Sequence, residues 1–341
     1  MTSVLIAISG GINSCVICKI LQDLGYKIGL IHFYNGAQND AENIDRVNRI
    51  SKFFNVPLRL IDLTPDFEDL MKLHIDGDIF ERCEMPNLCI YCNRKIKFGK
   101  MLEYADGYDF FATGQYIIKD AETGDFYRDP NNPKDQSYAI SYIPKKLLKN
   151  VIFPIGGLSK DYIRDVMTEL ESFGLILEKV SESQDFCLAN GTWKQMLHDR
   201  FSKLYSYSYV SQQRLIFPKD MVINGCDTHD LHTIGQKKFG HYITKITPSM
   251  IFFSKNKDDL YKKSIKLKTP INWFVDEFPE KFSVQLRYRG PIYENIIFQD
   301  SLTICAENCK GFFTPQAGQL CAFYDESGRI LGGGIIDCPH S

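Results

Sequence analysis

An apolar run, Val4-Leu5-Ile6-Ala7-Ile8, passes directly into Ser9-Gly10-Gly11-Ile12-Asn13-Ser14 and then into the helical pattern Cys15-Val16-Ile17-Cys18-Lys19-Ile20-Leu21. Strand, glycine turn and helix in that order restrict the chain to a fold that buries its first strand and opens a helix N-terminus beyond it. The glycines admit positive φ and close approach of a ligand. Unpaired N–H groups at a helix start attract an anion. Ser9, Gly10, Gly11, Asn13 and Ser14 therefore read as a phosphate cradle. Asn13 is its odd member, a neutral amide where a carboxylate would aid a metal-bound phosphate.

The same rhythm continues. Strand patterns at Val4–Ile8, Lys27–Phe33, Leu58–Asp62 and Asp109–Thr113 alternate with helical patterns at Ser14–Leu24, Ala41–Phe53, Phe67–Leu73 and Arg94–Tyr104. This predicts an α/β domain with an open, mostly parallel sheet and helices on both faces. Ligands of such sheets gather at the carboxyl ends of the strands. Phe33, Gly114 and Gln115 end or follow strands and join the cradle as nucleotide-binding candidates. Thr123-Gly124 suggests a hairpin tip, and Ser137 to Phe173 reads as helices, with Ser159 capping Tyr162–Leu170. A short helix is expected at Trp193–Phe201 and a linker at Tyr205–Ser211. Polar loops are expected after Gln212. Alternating strands at Ser264–Lys268, Phe282–Tyr288, Tyr293–Phe298, Gln319–Tyr324 and Leu331–Ile336 then suggest a small β-barrel. The expected division is a nucleotide-binding domain over 1–205, a small central domain over 206–262 and a C-terminal β-barrel over 263–341.

A net charge of -2 over 341 residues gives no overall attraction to nucleic acid, so local basic patches must carry any such role. No stretch is apolar enough for a membrane span. Met1-Thr2-Ser3 carries no basic leader, and a cytoplasmic chain is expected. Of the 11 cysteines, Cys15, Cys18, Cys226, Cys305, Cys309 and Cys321 read as small apolar residues, and Cys338 as a surface thiol. Three others stand apart. Cys89-Ile90-Tyr91-Cys92-Asn93 precedes the basic run Arg94-Lys95-Ile96-Lys97, and Cys187 closes Ser183-Gln184-Asp185-Phe186-Cys187. Neighbouring cations favour thiolates. Three chemistries are open: a Cys92–Cys187 disulfide relay carrying a persulfide, an iron–sulfur cluster (4Fe-4S) on Cys89, Cys92 and Cys187, or an inert pair at Cys89 and Cys92. Lys134-Asp135-Gln136-Ser137-Tyr138 reads either as a polar helix cap or as a phosphate and base contact. Gly235-Gln236-Lys237-Lys238 is a solvated turn or an RNA backbone clamp.

Taken in order, these segments resemble the tRNA-specific 2-thiouridylases, adenylating enzymes of the pyrophosphatase-loop superfamily. Ser9–Ser14 matches their Ser-Gly-Gly-x-Asp-Ser loop, and Ala112-Thr113-Gly114-Gln115-Tyr116 resembles Ala-Thr-Gly-His-Tyr. Lys134–Tyr138 is their Lys-Asp-Gln-Ser-Tyr unchanged. Phe153-Pro154-Ile155-Gly156, Ser183–Cys187, His232–Lys238 and Leu331–Ile336 follow in place. The resemblance implies a Rossmann-like nucleotide domain, ATP and Mg²⁺ as cofactors, and 2-thiolation of the wobble uridine of tRNA. It implies the anticodon arm as a partner, with a cysteine desulfurase or relay protein as sulfur donor. Cys92 and Cys187, with Cys89, would be catalytic. Asn93, Arg94, Lys97, Lys134, Asp135, Gln136, Ser137, Gln236 and Lys237 would contact the RNA.

The departures from that pattern are Asn13 for aspartate, Gln115 for histidine, Leu88 for proline, and a changed segment after Phe33. With Asn13 regarded as a lost metal-orienting group, Asn13→Asp is expected to keep or raise pyrophosphate release. The rival readings are a sulfurtransferase for another base or small molecule, an amide-forming adenylase, and a non-catalytic tRNA binder. The cysteines favour sulfur chemistry over the last two.

Overall fold

The structure, a computed structural model, describes residues 1–37, 39–81, 84–85, 87–176, 213–217, 221–226, 233–246, 250–307 and 309–337. Cys187, Cys338, the helix expected at Trp193–Phe201 and the linker Tyr205–Ser211 lie outside them. The chain divides into two compact units, one of residues 1–68, 89–190 and 327–330, the other of 69–88, 191–326 and 331–341.

In chain order the first elements are β1 (Ser3–Ala7), α1 (Ile12–Asp23), β2 (Lys27–Tyr34), α2 (Asp40–Phe54), β3 (Leu58–Asp62), α3 (Thr64–Met71) and α4 (Leu88–Cys92). They continue with β4 (Phe110–Ala112), β5 (Ile118–Lys119), β6 (Phe126–Tyr127), α5 (Ser137–Ile140), β7 (Val151–Ile152) and α6 (Lys160–Ser172). The first unit is built on a parallel sheet ordered β3-β2-β1-β4-β7. Val4, Leu5 and Ile6 are fully buried, as both faces of such a sheet are covered. The chain builds outward from β1 to β3 and returns beside β1 as β4. The carboxyl ends of β1 and β4 therefore form a topological switch point, where a crevice opens. Ser159 caps α6 as expected, its Oγ accepting from the Tyr162 N–H at 3.1 Å.

Two local readings are corrected. The single helix expected at Arg94–Tyr104 is a π-helical turn, Asn93–Lys97, and a 3-10 helix, Lys100–Ala105. The break is at Gly99, where a Cβ would stand 2.3 Å from the Lys95 carbonyl oxygen. The stretch around residue 151, read as helical, contains β7, too short at two residues to show a strand period.

Gly156, beyond β7, packs tightly on the main chain that follows β4. A Cβ there would lie 1.8 Å from the Ile117 carbonyl oxygen, a backbone atom with no rotamer to yield. Gly156→Ala is expected to destabilise the first unit by about 3 kcal/mol or more. Thermal unfolding of the purified variant measures this.

The second unit carries β8 (Gln213–Phe217), β9 (Met221–Cys226), β10 (Lys237–Lys238), β11 (His241–Ile246), β12 (Met250–Ser254), β13 (Tyr261–Lys262) and β14 (Ser264–Lys266). β15 (Asn272–Trp273), β16 (Phe282–Gln285), β17 (Ile292–Phe298), β18 (Thr303–Ala306), β19 (Phe312–Phe313), β20 (Leu320–Tyr324) and β21 (Ile330–Ile335) complete the chain. A five-stranded sheet, β10-β11-β12-β8-β9, stands where polar loops were expected. A seven-stranded sheet, β14-β18-β17-β16-β20-β21-β15, follows. Beyond β14, Leu267 bridges Ile336 and the Lys268 N–H donates to the Ile335 carbonyl at 2.7 Å, so this sheet curls back on itself. Phe278, Phe282, Phe298 and Phe323 pack edge to face and stacked inside it. No helix among the described residues is long and apolar enough to cross a membrane.

Candidate functional site

The loop after β1 has the conformation its glycines foretell. Gly10 sits at φ +82, a left-handed value that a side chain would strain. Gly11 opens α1 in extended conformation with no side-chain cap. The N–H groups of Ile12 and Asn13 therefore start a helix with no carbonyl four residues back to bond. The Ser14 hydroxyl donates to the Gly11 carbonyl at 2.7 Å, and the Gly11 N–H reaches Ser9 Oγ at 3.4 Å. Ser9 is exposed and Ser14 buried. The arrangement is an uncapped helix N-terminus at the sheet's switch point, suited to a phosphate.

Asn13 proves to be a bridge. Its Nδ2 donates to the Gly114 carbonyl at 3.4 Å, and its Oδ1 accepts from the Tyr116 hydroxyl at 3.1 Å. The Gly114 oxygen can only accept, which fixes the amide's orientation. A Cβ on Gly114 would meet the Asn13 Cβ at 3.3 Å, so the two loops touch closely. The amide holds the loop after β4 and uses both its ends to do so, which gives Asn13 a role that does not depend on a metal.

Gln115 is buried, and its Oε1 accepts from the Thr113 hydroxyl at 3.2 Å. Gln136 takes the neighbouring main chain at both ends: its Oε1 accepts the Tyr116 N–H at 3.1 Å, and its own N–H donates to the Tyr116 carbonyl at 2.9 Å. Asp135 accepts from the Ser137 hydroxyl at 2.6 Å and from the Asp129 N–H at 3.2 Å. Burial raises the Asp135 pKa, while those hydrogen bonds and nearby Arg128 pull it down. Ser137 is fully buried, and the Lys134 N–H donates to Asn132 Oδ1 at 2.9 Å. Gln136 thus ties the start of α5 to the loop that Asn13 holds, while Asp135 and Ser137 brace the turn that carries it. Phe33, at the end of β2, packs edge-on against Tyr104 with ring centres 5.9 Å apart.

The thiols lie on α4. Cys89 is exposed and Cys92 buried. Asn93 is buried, and its Oδ1 accepts no hydrogen bond among the described residues, which leaves an open acceptor beside Cys92. Arg94 donates to the Tyr142 carbonyl at 2.9 Å and lies 4.3 Å over the Tyr142 ring. A continuous path therefore joins phosphate loop to thiols: Asn13, Tyr116, Gln136, α5, Tyr142, Arg94, Cys92. Burial, then the Arg94 charge, lowers the pKa of Lys95, while Lys97 is half-buried. Cys187 lies outside the described residues, among which no three His, Cys, Asp or Glu side chains gather to hold a metal.

Gln236 and Lys237 belong to the second unit. Gln236 lines a groove of about 440 Å³ with Thr233, Gly235, Arg287 and Thr314. Lys237 is exposed, its ammonium 5.6 Å from the Tyr242 ring centre. Sequence reasoning missed Tyr116 and Arg46. The first is a hydrogen-bond partner of Asn13, and the second lies against Gly10.

Comparison with known proteins places this architecture. The family profile described as "tRNA methyl transferase HUP domain" matches residues 2–191. The tRNA-specific 2-thiouridylase MnmA of Sulfurimonas denitrificans is 31% identical over 98% of this chain and 98% of its own. That of Campylobacter curvus is 28% identical over 98% and 99%. That of Deinococcus radiodurans is 29% identical over 98% and 92%. With a relative 31% identical over nearly the whole of both chains and a family profile over more than half of this one, the chain belongs to the tRNA-specific 2-thiouridylase family.

Proposed function

We propose that this chain replaces the C2 oxygen of the wobble uridine in tRNA with sulfur, at the expense of ATP. What carries the reading is the coincidence of a nearly full-length relationship to 2-thiouridylases with an uncapped phosphate loop in the same unit as Cys89 and Cys92. The family profile's description speaks of methyl transfer. A methyl donor needs no pyrophosphate cradle, and the thiols favour sulfur.

In this mechanism ATP lies with its β- and γ-phosphates on the N–H groups at the start of α1. The uracil O2 attacks the α-phosphorus, and pyrophosphate leaves into the cradle, where fixed N–H dipoles stabilise the growing charge. The oxygen, now part of bound AMP, has become a good leaving group. Cys187 carries a persulfide received from a cysteine desulfurase or relay protein. The Cys92 thiolate attacks the inner Cys187 sulfur, forms the Cys92–Cys187 disulfide and releases hydrosulfide. Hydrosulfide attacks C2, the C2–O bond breaks and AMP departs. A thiol reductant then reduces the Cys92–Cys187 disulfide and returns both cysteines to thiols.

The described residues near the loop bring no carboxylate cluster, so Mg²⁺ arrives on the ATP phosphates. Cys89 and Cys92 are two of the three thiols that an iron–sulfur cluster would take; when bound, it would activate hydrosulfide in place of the persulfide. Asn93 Oδ1 suits the uracil N3–H, and the base must leave the anticodon stack to reach it. Arg94, Lys97 and Lys134 meet the anticodon-loop phosphates, and Gln236 and Lys237 grip the arm.

The test is nucleoside mass analysis of tRNA incubated with the chain, ATP, Mg²⁺ and a sulfide source, in air and anaerobically. 2-Thiouridine is the expected product. Its absence under both conditions, with ATP bound, would discard the reading.

A further inference from the structure

The cradle has an electrostatic gap. Ser9, Gly10, Gly11, Ile12, Asn13 and Ser14 carry no charge, and Asn13 spends its amide on Gly114 and Tyr116. Apart from the Mg²⁺ that arrives with ATP, the loop itself would then offer only backbone dipoles to a leaving group of several negative charges.

A cation stands against the loop from another element. Arg46, on α2, packs onto Gly10: a Cβ on that glycine would lie 3.3 Å from the Arg46 Cβ and 3.5 Å from its Nε. Gly10 is thus required twice, for its positive φ and for the passage of this side chain. Arg46 also lies close enough to His32 for its charge to help lower the imidazole pKa, after the larger effect of burial. The Ile8 carbonyl, which His32 Nδ1 meets at 2.7 Å, and the Asp40 carboxylate act in the opposite direction.

Arg46 is under-used where it stands. Its guanidinium offers five N–H donors. Among the described residues its only side-chain hydrogen bond goes to Asn43 Oδ1, a neutral group on its own helix, and it has no ion pair. Its Nε is buried and unbonded. Arg49, one turn further along α2, also has a buried, unbonded Nε, but its charge is paired with Asp45 at 3.1 Å, so what sets Arg46 apart is a guanidinium with no carboxylate partner among the described residues. A buried, unbonded guanidinium N–H is costly unless a ligand takes it. The planar fork of arginine is matched to phosphate oxygens.

We propose that Arg46 is the charged phosphate-binding residue of this site. It holds the β- and γ-phosphates of ATP, and the pyrophosphate they become, against the loop at Gly10. The inference rests on the ATP-dependent reading above and adds to it a binding residue outside the loop motif. Arg46 serves the leaving group and not the adenosine half. Pyrophosphate and AMP should therefore respond differently to its loss.

The experiment uses the full chain with Mg²⁺ and compares wild type, Arg46→Met and Arg46→Lys by calorimetric titration with ATP, pyrophosphate and AMP. Methionine keeps the apolar stem against Gly10 and removes the donors. Arg46→Met should weaken ATP and pyrophosphate about tenfold or more, as for one lost charge-assisted hydrogen bond, and leave AMP within about twofold, a margin set by this single-contact argument. Arg46→Lys should recover part of the loss. Unchanged pyrophosphate affinity in Arg46→Met would overturn the proposal. Equal weakening of AMP and pyrophosphate would also overturn it, by showing that Arg46 merely shapes the loop. A wild type that binds neither ATP nor pyrophosphate would instead overturn the ATP-dependent reading on which the proposal rests.

Discussion

Cys92→Ser is expected to abolish thiolation, by on the order of 10³-fold or more as for a nucleophile removed from a covalent relay, while pyrophosphate release continues. Serine is nearly isosteric, so the buried position on α4 stays filled. What is lost is the sulfur that attacks the persulfide. Cys187→Ser should behave alike, because it removes the carrier. Cys89 is exposed, and serine there disturbs no packing. Under the disulfide relay Cys89→Ser retains most of the activity. Under the cluster route all three serine variants lose iron and activity together. Measuring iron content, thiouridine and pyrophosphate on the same preparations separates the two. Full thiolation by Cys92→Ser would remove that residue from the chemistry. Loss of pyrophosphate release along with thiolation would mean that Cys92 supports the fold of the site.

The α/β rhythm was legible because buried parallel strands and amphipathic helices write different periods into the chain. β3 matches its expected bounds, and β1, β2, α1 and α2 fall within two residues of theirs. Five C-terminal strands, β14, β16, β17, β20 and β21, were legible from their alternating apolar residues, whereas β18 did not declare itself and the two-residue β13, β15 and β19 were too short to. β7 was not, because two residues between Asn150 and Phe153-Pro154 carry no period. The sheet containing β11 and β12 was read as loop because glycines and lysines break up its sequence, while its pairing is settled by strands distant in the chain.

The site shows the same division. Ser9–Ser14 declared itself, since strand, glycines and helix are contiguous. Lys134–Tyr138 declared itself as a motif but not in its mechanics: Gln136 binds the Tyr116 main chain across 20 residues. Arg46 gave no signal at all. It is an unremarkable helix residue in sequence and meets Gly10 only because α2 returns beside the loop after β1. Long-range contacts of this kind depend on the topology of the sheet, which no local pattern encodes.

Asn13→Asp separates a local motif reading from the three-dimensional one. A reading from the loop alone makes the aspartate a restored metal ligand and predicts equal or faster pyrophosphate release. The hydrogen bonds predict the opposite. Aspartate has no Nδ2–H, so the 3.4 Å bond to the Gly114 carbonyl is lost, and a carboxylate oxygen faces that carbonyl instead. The Tyr116 hydroxyl still finds an acceptor. One lost hydrogen bond and one acceptor facing another cost about 2 kcal/mol, which corresponds to ~30-fold in rate if the loop must close for catalysis. Asn13→Ala removes both bonds but adds no repulsion, so it should be the milder change. The expected order of pyrophosphate release at saturating Mg²⁺ is therefore wild type, then Asn13→Ala, then Asn13→Asp. The reverse order, with aspartate the fastest, would mean that metal coordination outweighs the bridge. The bridge predicts further that Tyr116→Phe lowers the rate less than Asn13→Asp, because the Gly114 bond remains to hold the two loops together.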